Sequence, residues 1–578
     1  MLCKRVSAYL LLLLACTLTP WSGVLAKPTG VSGDLQSVTP VTSCERLVKV
    51  NLVAVGGRGS KVQTAERRGE GAAAVCLVTG VLAPSITFQV SLPMQGWTQR
   101  FLQVGCGGLC GRVSLEVGAA DGCVPLKANG FVLAGTDMGH QGGMDGSFAK
   151  DPQKRVDFAY RAQHLTALAA KRLIQVFYGQ AQRHAYFSGC SDGGREALME
   201  AQRFPDDFDG IIAGAAAMNF QSQNGLYHAW VAASNRGADG KAVLVASRLP
   251  VLHEAVLKAC DELDGVHDGL ITDPRVCHFD PASIQCPASA TETSTCLRAD
   301  EVVAARRIYE GPRDPTTGVR LLVGGPQYGS ELAWAGVFVP FGADQAVASE
   351  SIAQGALPVL YADDSPSIKK LSDLTFTEQD LVRLKVLHPL NDATNPDLRR
   401  FFARGGKLIL WHGWSDPHIS PRTSIAYHEA LLRTVGSDRV AASERLYLLP
   451  GVNHCSGGEG PSAVDFLTPM LAWVEQGQAP DRVEASTPQP SQRPSGFGMP
   501  NGAPPKGDLA AMRPPSLDSA STVQRSRPLY PYPAVARYDG QGDPNLASSF
   551  VKGMPLTLEA TPSWAGEGFF SPYQARMH

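Results

Sequence analysis

An α/β fold built on a mainly parallel sheet and split by a large insertion is the class this sequence predicts, on three observations. Short apolar runs alternate with glycine-rich turns and helical stretches over residues 85–185, the texture of strand-helix-strand units. The rhythm stops between residues 219 and 399, then resumes at 407–411 and 445–449. At 578 residues and 44% hydrophobic composition, the chain can bury a core larger than one small domain offers.

In chain order, residues 1–26 have the form of an export signal. Lys4 and Arg5 precede an apolar run over 6–15 and a small-residue site at Val24, Leu25 and Ala26. That run is too short to cross a bilayer core of about 30 Å, and no later stretch approaches the roughly 20 apolar residues a span needs. No transmembrane segment is expected, and the chain reads as secreted or periplasmic. Leu13, Leu14, Ala15 and Cys16 keep a second reading open, a lipid anchor on Cys16.

Residues 27–218 form the first part of the catalytic domain, with strands expected at 87–92, 100–104, 130–134, around Tyr186 and Phe187, and at 210–213. A helix is expected over 161–177, because Ala162, Leu165, Leu168, Ala169, Leu173 and Val176 recur on one face. Residues 219–399 read as an inserted lid domain, and 400–477 as the second part of the catalytic domain. Residues 478–525 are rich in Pro, Ser, Gly and Gln, with too little apolar surface to offset ordering, and read as a flexible segment. Order is expected to return over 526–578, where Tyr530, Tyr532, Tyr538 and Phe550 can pack on the body.

The chemistry centres on Gly189-Cys190-Ser191-Asp192-Gly193, a G-x-S-x-G pentapeptide between a short strand and a helix expected over 194–203. In a nucleophile elbow the glycines permit a tight turn that lifts the serine hydroxyl to the positive end of the helix. The base and its orienting acid follow in the order Ser, Asp, His, each at the end of a later strand. Asp416, after the strand at 407–411, and His454, after the strand at 445–449, satisfy that order. The expected architecture is therefore an α/β-hydrolase fold with a large inserted lid domain.

Setting aside Cys3 and Cys16, 11 of the 13 cysteines remain, a number expected to form disulfides in an exported chain and to leave at least one thiol over. Cys260 with Cys277 and Cys286 with Cys296 are local staples. Cys44 can reach Cys76 across an intervening strand, and Cys110 can reach Cys123. Cys190 precedes the candidate serine and Cys455 follows the candidate histidine, so a bond between them would brace both catalytic loops.

This Cys-Ser, Asp, His-Cys arrangement resembles the tannase and feruloyl esterase family of α/β-hydrolases. The similarity extends to residues 105–111, 136–140 and 527–550 and covers most of the mature chain. It implies esters of phenolic, galloyl, feruloyl or terephthalate type as substrates, with no organic cofactor. An oxyanion site needs about two preorganised donors, each costing on the order of 3 to 4 kcal/mol when lost. Asp192 N–H is the first, and the resemblance gives the second to Gly107 or Gly108.

The acidic loop over 261–270 sets three aspartates around two glycines, which suits a hard cation, although the spacing is not that of an EF-hand. The resemblance implies a structural Ca2+ site with side-chain ligands from Asp261, Asp264 and Asp268 and carbonyls from Val266 and Leu270. The chain departs from the family at Tyr530 and Lys552, where members often carry a cysteine pair, so tethering of the C-terminal segment is in question. Cys106 is the thiol expected to remain unpaired.

A formal net charge of −2 supplies no field for phosphate backbones, and nucleic acid is not an expected partner. Two other functions share these features: a serine peptidase or amidase using the same triad, and a non-catalytic secreted binding protein. Tyr328, Trp334 and Phe338 are candidate lid aromatics, as compatible with core packing as with a pocket.

Overall fold

The computed structural model describes residues 35–361, 368–488, 524–556, 558 and 562–574. The leader over 1–26, with Cys3 and Cys16, lies outside them, as does 489–523 of the Pro-rich stretch. Nine strands make the main sheet: β1 (Lys61–Arg68), β2 (Val75–Leu82), β3 (Ile86–Pro93), β4 (Arg100–Val104), β5 (Phe131–Thr136), β6 (His184–Cys190), β7 (Gly210–Gly214), β8 (Lys407–Gly413) and β9 (Glu444–Leu449). Their order is β1-β2-β3-β5-β4-β6-β7-β8-β9. The first three pair antiparallel with one another and with β5, and every pair from β5 onward is parallel. This is the α/β-hydrolase fold.

Strand alternation explains the layering, since neighbouring side chains leave opposite faces. Phe101, Phe187, Ile211, Leu408 and Leu446 join one core with residues of α1 (Ala162–Tyr178) and α2 (Asp192–Arg203). Leu102, Tyr186, Ile212, Ile409 and Tyr447, each one position along, join a second core. β4 and β7 are buried throughout because both of their faces are covered; β7 reads as a continuous apolar run, while β4 also buries Arg100, paired with Glu475, and Gln103, bonded to Gln163. β1 is mostly exposed and carries Lys61, Glu66, Arg67 and Arg68, which left it without a strand signature.

Between β7 and β8, the described residues add no strand to this sheet. They form helices instead, among them α3 (Leu249–Cys260) and α4 (Ala299–Glu310) around a separate apolar cluster, and α5 (Ala348–Leu360), whose Ala353, Ala356, Leu357, Val359 and Leu360 join the first core. Trp334 and Phe338 are buried inside that cluster, and Tyr328 packs edge-on against Phe279. All three are packing residues of the insertion.

Order persists further than the Pro-rich composition suggested. β10 (Ala463–Val464), β11 (Val483–Ser486) and β12 (Ser526–Leu529) form a small antiparallel sheet, so the segment read as flexible from residue 478 begins with a strand. The C-terminal segment is held without the cysteine pair. Arg527 ion-pairs with Asp268 and lies 4.3 Å over the Phe550 ring, and Tyr532 N–H donates to Leu446 O at 2.8 Å.

Among the described residues five disulfides are present, at Cys44–Cys76, Cys106–Cys110, Cys190–Cys455, Cys260–Cys277 and Cys286–Cys296. The second corrects the expectation that Cys106 is unpaired and that Cys110 reaches Cys123. Gly108 at φ +66° and Cys110 at φ +61° turn the loop back on itself, bringing the Cys106 and Cys110 Cα atoms to 5.4 Å. Among the described residues Cys123 is the free thiol, and burial raises its pKa to about 11, so it is inert as a nucleophile.

Candidate active site

β6 delivers Ser191 into a turn at φ +64°, ψ −123°, and α2 begins at the next residue. Such a backbone costs on the order of 1 to 3 kcal/mol and persists only where surroundings impose it. Here Ser191 N–H donates to Gly214 O at 3.0 Å, while Ser191 O accepts from Ala217 N at 2.9 Å and Gly194 N at 3.1 Å. The glycines are required by space: a Cβ at Gly189 would lie 2.3 Å from Gly193 O, and one at Gly194 would lie 2.6 Å from Gly214 O.

Asp416, in the loop after β8, and His454, in the loop after β9, are both buried. His454 Nδ1 lies 2.7 Å from Asp416 Oδ2, and His412 Nε2 lies 3.1 Å from the same oxygen. Asp416 Oδ1 accepts from the backbone N–H groups of His418 at 2.8 Å and Ile419 at 3.0 Å. Burial opposes the charge on Asp416. The neighbouring His454, with the hydrogen bonds from His412 and His454, outweighs it and holds the carboxyl well below the usual range. Asp416 is thus an ionised anchor that directs the opposite edge of the His454 ring, Nε2, away from itself.

The Cys190–Cys455 disulfide, with Cα atoms 6.0 Å apart, closes the third side. It joins the residue before Ser191 to the residue after His454, bringing together loops separated by 265 positions. Asp416 and His454 therefore meet at the C-terminal ends of β8 and β9, where α/β sheets place their sites, and Ser191 stands at the C-terminal end of the same sheet's β6, its neighbour Cys190 bonded to Cys455.

The loop after β4 carries Gly107 and Gly108, the residues expected to offer the second anion donor. Gly105 N–H donates to Ser188 O at 3.0 Å and Cys106 N–H to Glu196 Oε2 at 3.0 Å. Gly107 and Gly108 follow, closed in by the Cys106–Cys110 bond. The loop rests directly on the start of α2, because a Cβ on Gly105 would sit 2.5 Å from Gly193 Cα. Asp192 N–H lies in the first turn of α2, where a helix's own carbonyls do not reach. Its carboxylate is held by Arg195, with Nε to Oδ1 at 2.6 Å and Nη2 to Oδ2 at 2.9 Å.

Several residues at this site had no sequence signal. His412 and His418 flank Asp416 within four positions and read as ordinary loop histidines. The His418 ring lies 5.0 Å from that of His454 and 5.7 Å from that of His228. Burial, with the charge of His454 adding, lowers His418 to about 3, so it faces the site as a neutral imidazole. The insertion touches both catalytic loops. Ser415 Oγ donates to Gly329 O at 3.2 Å, and His253 of α3 lies 2.7 Å from Glu331 and 3.1 Å from Glu459, a residue of the His454 loop.

The predicted cation loop follows α3 and is bracketed by the Cys260–Cys277 disulfide. Asp261 accepts from Gly269 N–H at 3.0 Å and Asp264 Oδ1 from Val266 N–H at 3.1 Å. Asp268 Oδ1 accepts from Leu270 N–H at 3.0 Å while its other oxygen pairs with Arg527. The three carboxylates do not bring one oxygen each to within 4.8 Å of one another. In kind they fit a hard cation. All are oxygen donors on one tight loop, and burial, with repulsion from Asp268 and Asp261, pushes Asp264 up to about 6. Val266 and Leu270 lie on the same turn.

Comparison with known proteins gives a consistent result. Residues 71–552 match the family model described as "Tannase and feruloyl esterase". An uncharacterized esterase of Xanthomonas campestris pv. campestris is 33% identical over 520 residues, covering 83% of this chain and 84% of that protein. Mono(2-hydroxyethyl) terephthalate hydrolase of Piscinibacter sakaiensis is 31% identical over 544 residues, covering 83% and 85%. The crystal structure of feruloyl esterase B from Aspergillus oryzae superposes with a TM-score of 0.73 over 88% of this chain and 100% of that one, at 24% identity, a likeness of fold.

Proposed function

The chain belongs to the tannase and feruloyl esterase family and is a carboxylic ester hydrolase, and from that premise we propose that it cleaves aromatic esters through Ser191, His454 and Asp416. The observation that carries this reading is the Cys190–Cys455 bond, which ties the serine turn to a histidine already oriented by Asp416. His454 takes the Ser191 proton on Nε2, and Ser191 Oγ attacks the ester carbonyl. The carbonyl oxygen, now anionic, is stabilised by Asp192 N–H and by Gly107 or Gly108 N–H. His454 returns the proton to the departing alcohol. Water, activated by the same imidazole, then releases the acid and restores Ser191.

Phenolic acyl groups of galloyl, feruloyl or terephthalate type are the proposed substrates, supported by the activities named for the relatives. Methyl gallate, methyl ferulate and mono(2-hydroxyethyl) terephthalate, each beside its matched amide, form the test. Hydrolysis of at least one ester with the amides left intact is the expected pattern. Turnover of the amides at comparable rates would make the chain an amidase. Five disulfides support action in an oxidising compartment outside the cytosol, and among the described residues no helix is long and apolar enough to cross a membrane.

The loop over 261–270 is proposed to hold Ca2+ through Asp261, Asp264 and Asp268 and the carbonyls of Val266 and Leu270. A bound cation would offset carboxylate repulsion and stiffen the insertion above the site. A ligand present at 100 to 1,000 times its Kd stabilises by about 3 to 4 kcal/mol. Chelation by EGTA is therefore expected to lower the melting temperature by several degrees, with recovery on adding Ca2+, and Asp264→Asn is expected to abolish that response. An unchanged melting curve would remove the cation from the account.

A further inference from the structure

We propose that Glu196 is the positioning residue that couples the two halves of the oxyanion site, fixing the glycine loop to the helix whose first amide is the other donor. The inference rests on the reading of Ser191 as nucleophile and adds to it a residue that touches neither substrate nor reacting atom.

Glu196 lies on the second turn of α2, one position past Arg195, and is fully buried. Its Oε2 accepts two hydrogen bonds, from Cys106 N–H at 3.0 Å and Gln163 Nε2 at 2.6 Å. Gln163 is itself fixed by Gln103, whose Nε2 donates to Gln163 Oε1 at 2.6 Å and to Gln163 O at 2.8 Å. The other oxygen, Oε1, sits 2.9 Å from Cys106 Sγ and 3.2 Å from Cys110 Sγ. Both sulfurs belong to a disulfide and have no proton to give. Burial, with the nearby charge of Asp192 adding, raises Glu196 well above the ordinary carboxyl range and so favours the neutral form, with Oε1 turned toward the sulfurs.

The geometry gives this side chain a specific task. Gly107 and Gly108 have the widest backbone freedom of any residues, whereas an oxyanion donor must be held to a few tenths of an ångström. The loop is anchored by Gly105 N–H to Ser188 O at 3.0 Å, by His140 Nε2 against Leu109 O at 2.7 Å, and by Glu196. Among the described residues, Glu196 alone of these side-chain anchors rises from the helix that starts at Asp192. Asp192, Arg195 and Glu196 stand at i, i+3 and i+4, so one helical face locks Asp192 by ion pair and the glycine loop by hydrogen bond. The Cys106–Cys110 bond adds a second constraint, pressing Cys106 against the carboxyl that holds it.

The role requires an acceptor at Oε2 and no charge, and this sets the test. Glu196→Gln retains the acceptor oxygen and turns an amide group toward the sulfurs, so kcat is expected to stay within about fivefold of wild type, with an unchanged pH profile. Glu196→Leu removes the acceptor at similar volume, and kcat is expected to fall about 100-fold with KM within threefold, the signature of a donor misplaced for the transition state. The rate of inactivation by an aryl phosphonate, which builds the anionic tetrahedral centre on Ser191, should fall in parallel. If Glu196→Leu does not fold, Glu196→Asp, which withdraws the acceptor by one methylene, is expected to lose at least tenfold in kcat at constant KM.

A folded Leu or Asp variant with wild-type kcat overturns the proposal. So does a Gln variant as impaired as Leu, which would show that charge is what matters. Ser191→Ala measured on the same esters separates the two readings: if it keeps activity the nucleophile is wrong, and if it is dead while Glu196→Leu is intact, only the positioning role fails.

Discussion

Ser191→Ala is expected to lower kcat/KM on whichever aromatic ester proves best by about 10⁴-fold or more, with KM and the melting temperature essentially unchanged. The separation between activity and stability follows from the turn. The strained backbone at φ +64° is fixed by main-chain hydrogen bonds to Gly214, Ala217 and Gly194, none of which uses the hydroxyl. Alanine keeps the Cβ, so the elbow, the start of α2 and the amide of Asp192 remain where they are. Only the nucleophile is lost, and the residual rate is what the oxyanion donors and substrate binding supply alone. Progress curves under saturating ester, with a thermal melt on the same sample, make the measurement. A folded variant that retains more than a tenth of wild-type turnover would rule out the serine mechanism. Asp416→Asn should produce a smaller but still large loss, because it leaves a neutral acceptor beside His454 where the structure holds an ionised one.

The same turn shows what the sequence could disclose and why. G-x-S-x-G was legible because each glycine answers a steric demand within a few residues, and the order of Asp416 and His454 was legible because each follows a strand with a parallel-sheet pattern. β4 and β7 matched their expected spans closely, since burial on both faces leaves β7 free of polar side chains and gives β4 the apolar residues Phe101, Leu102 and Val104. β1 left no such trace, since an exposed edge strand needs no apolar stripe. Pairing of Cys106 with Cys110 was missed because a four-residue loop closes only with positive φ at Gly108 and Cys110, which composition does not announce. His412, His418, Glu196 and Glu459 were illegible for a shared reason. Each acquires its role from a partner brought in by the fold, such as Asp416 for His412 or the Cys106 amide for Glu196, and a lone His or Glu has nothing to mark it beforehand.

Replacing Cys190 and Cys455 together by Ser is expected to cost both stability and activity, with the loss of activity exceeding what unfolding explains. Releasing a cross-link across 265 positions restores chain entropy to the unfolded state, worth roughly 5 to 6 kcal/mol in the entropic account. That predicts a fall in melting temperature of several degrees or more, with the four remaining disulfides retained. The kinetic effect has a separate origin. The His454 loop is closed by short-range backbone bonds, Asn453 N–H to Gly457 O at 3.0 Å and Gly460 N–H to Gly451 O at 2.9 Å, so it keeps its own shape when the bridge is cut. His454 also keeps Asp416, which is anchored independently by His412 and two backbone amides. What the bridge adds to the sheet is a direct covalent tie between the turn of Ser191 and the loop of that imidazole. A displacement of about 1 Å between nucleophile and base costs on the order of 100-fold in rate. The double variant, assayed well below its melting transition, should therefore show kcat reduced by about that factor with KM little changed. Cys190→Ser alone should match it, since either substitution opens the same bond. Full kcat in a variant shown by thiol titration to lack the bridge would assign Cys190–Cys455 to stability alone and leave Ser191 and His454 aligned by the sheet.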